Sequence, residues 1–306
     1  MDERCQWRPA RKSDCLDHVV SEALLPADAA RPGPAPERRG HVLVLLSGKD
    51  GTGKSTVAAN LAASLARDFS RSVALVDLDL QTGDQALMFR LPVYPCIDDL
   101  LEDFDALTPR MLIDSMHKVQ ALSILTAPPT PERADMFRGS HVRKIISMLS
   151  TTVDYVVVDV ASHLDDVALE AIECADQLVL LTTARMPSMK DTKRLLRVLG
   201  DLGKEADSII AVLNEVSRVK MSHEILERSI NFPISVELPS ASEALLDAVI
   251  DAVPLVLSAP RSEFARAISQ LEQLITTTDR ATKDHDNRPR WRQALRLAAD
   301  PATRAP

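Results

Sequence analysis

Apolar and amphipathic stretches alternate along the chain from residue 41 to about residue 276. The short apolar runs are rich in Val, Leu and Ile, which is typical of strands buried on both faces of a sheet. The stretches between them repeat their apolar residues at helical spacing. The predicted strands are 41–47, 72–77, 123–127, 154–159, 177–183, 208–214 and 234–237, and the predicted helices are 54–68, 139–150, 165–174, 187–202, 222–229, 240–250 and 261–276.

This alternation of strands and helices predicts one α/β domain over residues 41–276, with a mainly parallel sheet flanked by helices on both faces. Residues 1–40 carry many charges of both signs, and 31–40 have the Pro-rich composition of a linker. We expect this N-terminal extension to be partly disordered. Residues 277–306 are expected to form a polar linker and a short basic tail.

Composition narrows the class of protein. The chain has 306 residues, a net charge of −8 and 45% hydrophobic residues, as ordinary globular proteins do. The acidic balance argues against a nucleic-acid binder that relies on bulk charge. The sequence shows neither an 18-residue apolar run nor an apolar segment near residue 1, so we expect a cytoplasmic protein. The scattered Cys5, Cys15, Cys96 and Cys174 predict free thiols and not a zinc site.

Glycine is scarce and concentrated. The chain has 9 Gly, where about 21 would be usual, and three of the nine lie between residues 48 and 53. Residues 48–55 match the pattern G-x-x-x-x-G-K-[ST], with an apolar run before it and a predicted helix after it, so they predict a loop that cradles phosphate. Lys54 is expected between the β- and γ-phosphates and Ser55 on Mg²⁺. The expected nucleotide-binding residues of this segment are Gly48, Lys49, Asp50, Gly51, Thr52, Gly53, Lys54, Ser55 and Thr56.

Acidic residues follow two of the predicted strands. Asp77, Asp79 and Asp84 lie at or just after the end of strand 72–77, and Asp159 ends strand 154–159. Carboxylates at the carboxyl ends of parallel strands face the crevice in which α/β proteins bind ligands. An apolar strand that ends in Asp has the form of a Walker B motif, so we expect Asp159 on the Mg²⁺ side of the site.

The loop resembles the deviant Walker A motif of the MinD/ParA family of ATPases, K-G-G-x-G-K-[ST]. The resemblance implies that Lys49 reaches across a dimer to the partner's nucleotide, so that Lys49 and Lys54 are both catalytic. Asp50 stands where that family usually has Gly. Residues 76–84 resemble the family's V-D-x-D-x-Q-x-G-D segment, of which we call residues 79–84 the first switch. This match implies that Asp79 is catalytic and orients the attacking water or a metal-bound water, with Asp77 in support.

The expected cofactors are ATP and Mg²⁺. A GTPase would carry Asn-Lys-x-Asp after a late strand, whereas Asn214 has neither the Lys nor the Asp after it. The family resemblance implies that Asn214 and Pro239 contact adenine and that Ser55, Asp79 and Asp159 serve the metal. It also implies a homodimer that forms on ATP binding.

Residues 122–132 and 253–262 look like the CpaE/TadZ branch of pilus-assembly ATPases. The branch implies an ATP-hydrolysing dimerisation switch that positions or assembles a cell-surface machine, such as a Flp/tad-type pilus or secretion apparatus. Its partners would be proteins of that machine. Residues 288–299 have the pattern of a basic amphipathic helix, which predicts peripheral contact with an anionic membrane.

Three alternatives stay open. A ParA-like DNA-partitioning protein needs a basic surface, for which residues 190–197 with Arg218 and Lys220 are candidates, although DNA is not favoured at a net charge of −8. A MinD-like septum-site ATPase has the same motifs. A non-hydrolysing adaptor would keep the nucleotide pocket for folding alone.

Overall fold

A computed structural model describes residues 39–67, 70–216 and 223–286 of the chain. Nearly all of the predicted N-terminal extension, residues 1–38, lies outside this range, as does the predicted basic helix at 288–299. Within the described residues, no helix is long and apolar enough to cross a membrane. Cys96 and Cys174, the two cysteines in the described ranges, are free thiols.

The strands form one eight-stranded sheet in the order β3-β4-β2-β5-β1-β6-β7-β8. All neighbours are parallel except β3 and β4, so the predicted mainly parallel sheet is confirmed. The strands are β1 (His41–Ser47), β2 (Val73–Leu78), β3 (His117–Val119), β4 (Leu122–Leu125), β5 (Tyr155–Val160), β6 (Gln177–Thr183), β7 (Ile209–Val216) and β8 (Val236–Pro239).

Helices cover both faces of the sheet. Alternate residues of β1 point to opposite sides, so Leu43 and Leu45 join one core and Val42 and Val44 join the other. The first core includes the first and last helices of the domain, and the second includes the helices that follow β4, β5 and β6. The helices are α1 (Lys54–Ala66), α2 (Gln85–Met88), α3 (Pro109–Asp114), α4 (Gly139–Ser150), α5 (Asp166–Cys174), α6 (Met186–Asp201), α7 (His223–Ile230), α8 (Ser242–Asp251), α9 (Leu255–Ser258) and α10 (Glu263–Asp286).

The predicted elements are all present, with bounds that agree best for long apolar runs. The predicted bounds of β1, β6 and α4 match the structure. β8 begins two residues later than predicted, and Ile234, which precedes it, belongs to a buried cluster with residues of α6, α7 and β7. The predicted end of the last helix at residue 276 is wrong, since α10 continues to Asp286.

A buried polar cluster at the amino edge of the sheet explains why α10 continues. The Tyr155 hydroxyl donates to Oδ2 of Asp279 at 3.1 Å, and His41 Nδ1 lies 3.3 Å from Oδ1 of the same carboxylate. His41 and Tyr155 are the first residues of β1 and β5. Asp279 is buried, and a buried carboxylate without polar neighbours would be costly. These contacts attach the second half of α10 to the edge of the sheet opposite the glycine-rich loop.

Candidate nucleotide-binding site

The glycine-rich loop joins β1 to α1 at the carboxyl edge of the sheet, as predicted. Gly51 and Gly53 adopt φ values of 73° and 86°, and Gly53 is the N-cap of α1. A side chain at Gly53 would also overlap the Asn214 amide. The left-handed conformation and this close approach together require glycine there. Asp50 is not among the residues with positive φ, so it does not use the left-handed region.

Two residues of the loop point in different directions. Lys54 is buried, at 7% exposure, and its Nζ donates to the Ser162 hydroxyl at 2.8 Å. Ser162 in turn lies 3.1 Å from Ser47, which donates to the carbonyl of Lys49 at 2.8 Å. A buried ammonium calls for an anionic partner, which fits the phosphate contact expected of Lys54. Lys49 itself is exposed.

Asn214 holds the glycine-rich loop through a hydrogen bond to the main chain of the loop. Its Nδ2 donates to the Thr52 carbonyl at 2.7 Å, and the side chain is 8% exposed. The next residue, Glu215, has a φ of 58°, and the pairing of β7 with β8 is irregular between Leu213 and Val216. Such irregularities re-aim a side chain at the end of a strand. The adenine contact expected of Asn214 stays a prediction, beside this contact with the loop.

Pro239 is the last residue of β8 and pairs with Val216, so it lies one strand further out on the same edge. Its contact with a base stays a prediction.

Gly48 packs against the main chain of Asp191 and Thr192 in α6, where a side chain would overlap. Thr56 lies half-buried in the first turn of α1.

Two carboxylates face each other across neighbouring strands. Asp77 of β2 pairs in register with Asp159 of β5, and both are buried. Burial raises the pKa of Asp77 well above its usual value, and the nearby charge of Asp159 raises it further. Burial also raises the pKa of Asp159, while the nearby Ser55 side chain, the hydrogen bond from Gln85 and the charge of Lys54 oppose that rise. The pair is therefore an unfavourable concentration of negative charge that a cation would relieve.

The first switch folds back over Asp77. The main-chain N–H of Asp79 donates to Oδ1 of Asp77 at 3.2 Å. Asp79 is half-buried, and its Oδ1 accepts bonds from the N–H and hydroxyl of Thr82 at 3.2 and 2.9 Å. A side chain at Gly83 would overlap the Asp77 carboxylate, so this close approach also depends on glycine. Burial, followed by the charge of Asp79, raises the pKa of Asp84.

Gln85 and Ser162 belong to the site, and sequence reasoning missed both. Gln85 is fully buried at the start of α2, where its Nε2 donates to Oδ2 of Asp159 at 2.9 Å and to the carbonyl of Ser55 at 3.1 Å. Ser162 accepts the bond from Lys54. The only signal for either was position, since Gln85 directly follows the first switch and Ser162 lies three residues after Asp159.

The residues present fit a magnesium ion that arrives with phosphate. Oδ1 of Asp159 is buried without a hydrogen-bond partner, and the Ser55 side chain lies near enough to lower the pKa of this carboxylate. Within the described ranges, no cluster of three or more His, Cys, Asp or Glu residues is arranged to hold a metal. This agrees with Mg²⁺, which binds through one or two protein oxygens, phosphate and water. Ser55 and Asp159 would hold it, and Asp79 lies near enough to affect the pKa of Asp159.

Comparisons with known proteins agree with this geometry. Residues 38–271 match the family model of ParA, described as NUBPL iron-transfer P-loop NTPase. The septum site-determining protein MinD of Thermotoga maritima is 24% identical over 230 residues, which are 72% of this chain and 82% of that protein. In fold, the chain is similar to a ParA family ATPase from Chlorobium tepidum, with a TM-score of 0.72 and 24% identity over 77% of this chain and 99% of that one. It is also similar to MinD of Pyrococcus horikoshii, solved with Mg-ADP, with a TM-score of 0.66 and 23% identity over 77% and 96% of the two chains.

Proposed function

The chain belongs to the ParA family of P-loop NTPases, and from that premise we propose that it is an ATP-hydrolysing switch that dimerises on ATP. One observation carries the proposal. The loop buries one lysine, Lys54, and leaves a second, Lys49, exposed. A single bound nucleotide needs only the first. The exposed lysine supports a role toward the nucleotide of a second subunit, with Lys54 acting in cis and Lys49 in trans.

The protein groups divide the work of hydrolysis. The N–H groups of the loop and the start of α1 bind the phosphates, and Lys54 neutralises charge between the β- and γ-phosphates. Mg²⁺, when bound through Ser55 and Asp159, supplies further neutralisation of phosphate charge. Asp79, held by Thr82, orients the water that forms a bond to the γ-phosphorus as the bond to ADP breaks. Lys49 of the partner subunit stabilises the charge that develops.

We propose that the chain belongs to the CpaE/TadZ branch and that the switch positions or assembles a Flp/tad-type pilus or secretion apparatus. The segments 122–132 and 253–262 support this branch. In the structure the first segment forms β4 and the turn after it, and the second forms α9 and the loops on either side. The partners would be proteins of that machine. The tail 288–299, which lies outside the described residues, is the part that we propose contacts the inner face of the membrane.

Lys49→Ala tests the dimer directly. We expect ATP binding by the monomer to stay within about threefold, because Lys49 is outside the cis pocket, while ATP-dependent dimerisation disappears. Turnover should fall by about 10³-fold or more, as it does when a trans arginine is lost. Light scattering with ATP measures the dimer, and a fluorescent ATP analogue measures binding. In cells, the same substitution should abolish surface pili and leave septum placement unchanged.

Two further variants serve as controls for the Lys49→Ala experiment. Lys54→Ala should abolish ATP binding itself, which separates loss of the nucleotide from loss of the partner. Lys193→Ala, an exposed lysine on the outer face of α6, should leave the dimer intact. A Lys49→Ala protein that still dimerises with ATP would sink the trans-lysine proposal. A dimer that binds ATP without measurable turnover would support the non-hydrolysing adaptor instead.

One observation favours a second function, ParA-like DNA partitioning. Four cations at helical spacing are exposed on α6, and the described ranges contain no acidic side chain that pairs with them. Arg218 and Lys220, the other predicted candidates, lie outside the described residues. The exposed cations are Lys190, Lys193, Arg194 and Arg197, which we call the α6 basic face.

A further inference from the structure

We propose that Gln85 is a positioning residue of the metal side of this site, which fixes the Asp159 carboxylate so that Oδ1 is the oxygen presented to Mg²⁺. The inference rests on the proposed nucleotide function and concerns the same site. Gln85 would not touch the nucleotide. It would act through Asp159 and join that carboxylate to the first switch.

The orientation of the Gln85 amide is determined by its neighbours. Nε2 is 2.9 Å from Oδ2 of Asp159 and 3.1 Å from the carbonyl oxygen of Ser55. An amide nitrogen has two N–H groups, so it can donate to both acceptors at once. Turning the amide over would place Oε1 against two oxygens that cannot donate. The side chain is fully buried, and its Oε1 has no hydrogen-bond partner.

The two oxygens of Asp159 are therefore not equivalent. Oδ2 is held by Gln85, whereas Oδ1 is buried and has no hydrogen-bond partner. A hydrogen bond to one oxygen of a carboxylate fixes the direction of the other, which is how outer residues orient metal ligands. Gln85 thus sets the direction of this ligand.

The same residue reaches the first switch through its main chain. The N–H of Gln85 donates to Oδ2 of Asp77 at 3.1 Å. Gln85 is also the first residue of α2, and just beyond α2 the Arg90 side chain donates to the Ile250 carbonyl in α8. One residue therefore contacts the end of β2, the end of β5 and the phosphate loop. We therefore expect a cation bound at Asp159 to change the contacts of Gln85 and, through them, the position of α2.

Gln85→Met tests the proposal, because methionine fills the same space and cannot donate. We expect affinity for a fluorescent ADP analogue in EDTA to stay within about twofold. The Mg²⁺ concentration that half-saturates the magnesium-dependent gain in ADP binding should rise about 10- to 100-fold. Gln177→Met is the matched control. Gln177 is a buried amide at the amino edge, 3.4 Å from His41 Nε2, and its loss should leave the Mg²⁺ titration unchanged.

A double-mutant cycle shows whether Gln85 acts through Asp159. In an Asp159→Asn background, Gln85→Met should change the Mg²⁺ requirement by less than about twofold. If Gln85→Met does not fold, Gln85→Asn keeps an amide in the pocket, but it is one methylene too short for both acceptors and should show the same shift.

Several outcomes would overturn the inference. A wild-type Mg²⁺ titration in Gln85→Met, or full additivity with Asp159→Asn, refutes it and leaves the proposed function standing. A wild-type protein that binds no nucleotide with or without Mg²⁺ refutes both.

Discussion

The carboxylates of Asp77 and Asp159 make the nucleotide-free site electrostatically costly. Both are buried and paired across β2 and β5, and Lys54 is the cation near Asp159. Hydrogen bonds from Gln85 and Asp79 support Asp77 without neutralising it. A site of this kind gives up stability in order to receive a ligand that brings positive charge.

This cost predicts a dependence of stability on pH. The pKa of folded Asp77 lies well above its usual value, chiefly because of burial, so the folded protein binds more protons than the unfolded chain between the two pKa values. Stability from this group is therefore present at the acidic end and is lost as pH rises through that window. Asp77→Asn keeps an acceptor for Gln85 but cannot ionise. The difference in unfolding free energy between variant and wild type should grow with pH by up to about 1.4 kcal/mol per pH unit.

Chemical denaturation of both proteins between pH 4.5 and 7.5, without nucleotide and at constant ionic strength, measures this difference. Carboxylates remote from the site contribute equally to the two proteins and cancel in the comparison, whereas Asp159, whose charge raises the pKa of Asp77, is part of the measured difference. Parallel stability curves for wild type and Asp77→Asn would show that Asp77 is not the group responsible.

The sequence motifs predicted those residues of the site that are recognisable from nearby positions in the chain. Lys54, Ser55 and Asp159 were predictable because their spacing and their place after strands are written in the sequence. Gln85 and Ser162 were not, because each makes its contact with a residue 74 or 108 positions away. Only the sheet order brings those segments together.

Among the elements, α10 has the least expected attachment. It packs into the first core through Phe264, Ile268, Leu271 and Ile275, which all lie within the predicted helix 261–276. Its continuation depends on polar contacts instead. Ser64 and Arg71 each donate a hydrogen bond to Glu272 at 2.7 Å. Further towards the C-terminal end of α10, Tyr155 and His41 contact Asp279.

Tyr155→Phe should loosen the second half of α10. The variant keeps the ring, which lies beneath the Arg71 guanidinium at 5.7 Å, but removes the hydroxyl that donates to Asp279. Removing a donor from a buried carboxylate costs about 1–3 kcal/mol. We expect a loss of stability in that range, with faster hydrogen exchange in α10 beyond residue 275. ATP binding should be unchanged, since the substitution lies at the opposite edge of the sheet. Unchanged exchange in α10 would refute this role for Tyr155.

Elements without an apolar run were not predicted from the sequence. β3 has three residues, His117–Val119, with only one apolar side chain, so its pairing with β4 has no periodic signal. The short helices α2, α3 and α9 have four to six residues each, too few to complete an amphipathic pattern. The long elements that build the two cores were predicted, because an element that packs into a core carries apolar residues on its buried face. Those residues form the pattern that is visible in the sequence.

For the molecule as a whole, the distribution of charge says more than the net value of −8. Acidic side chains collect at the ends of β2 and β5, while the α6 basic face is exposed to solvent. An anionic partner could therefore bind α6 despite the acidic average. DNA is the partner that would decide between the two candidate functions.

The proposed pilus switch predicts no retardation of plasmid DNA at about 150 mM salt with ATP. The partitioning alternative predicts an ATP-dependent shift whose logarithmic salt slope falls by nearly one unit for each cation removed. Lys193→Ala with Arg194→Ala removes two cations of the α6 basic face. Arg110→Ala, which breaks an exposed pair with Asp114, is the control at a distant surface. A salt-sensitive shift lost only in the double variant would favour DNA partitioning over the pilus.

The amino-edge cluster also decides where the polypeptide enters and leaves the domain. Residues 39 and 40 run directly into β1, and α10 passes Asp279 at this same edge. Strands of six or seven residues place the phosphate loop about 20 Å away, at their other end. A fluorescent reporter joined before residue 39 would thus be tethered on the side remote from the phosphate loop. The location of the protein in living cells can therefore be followed through this junction, with the tail proposed to contact the membrane left in place.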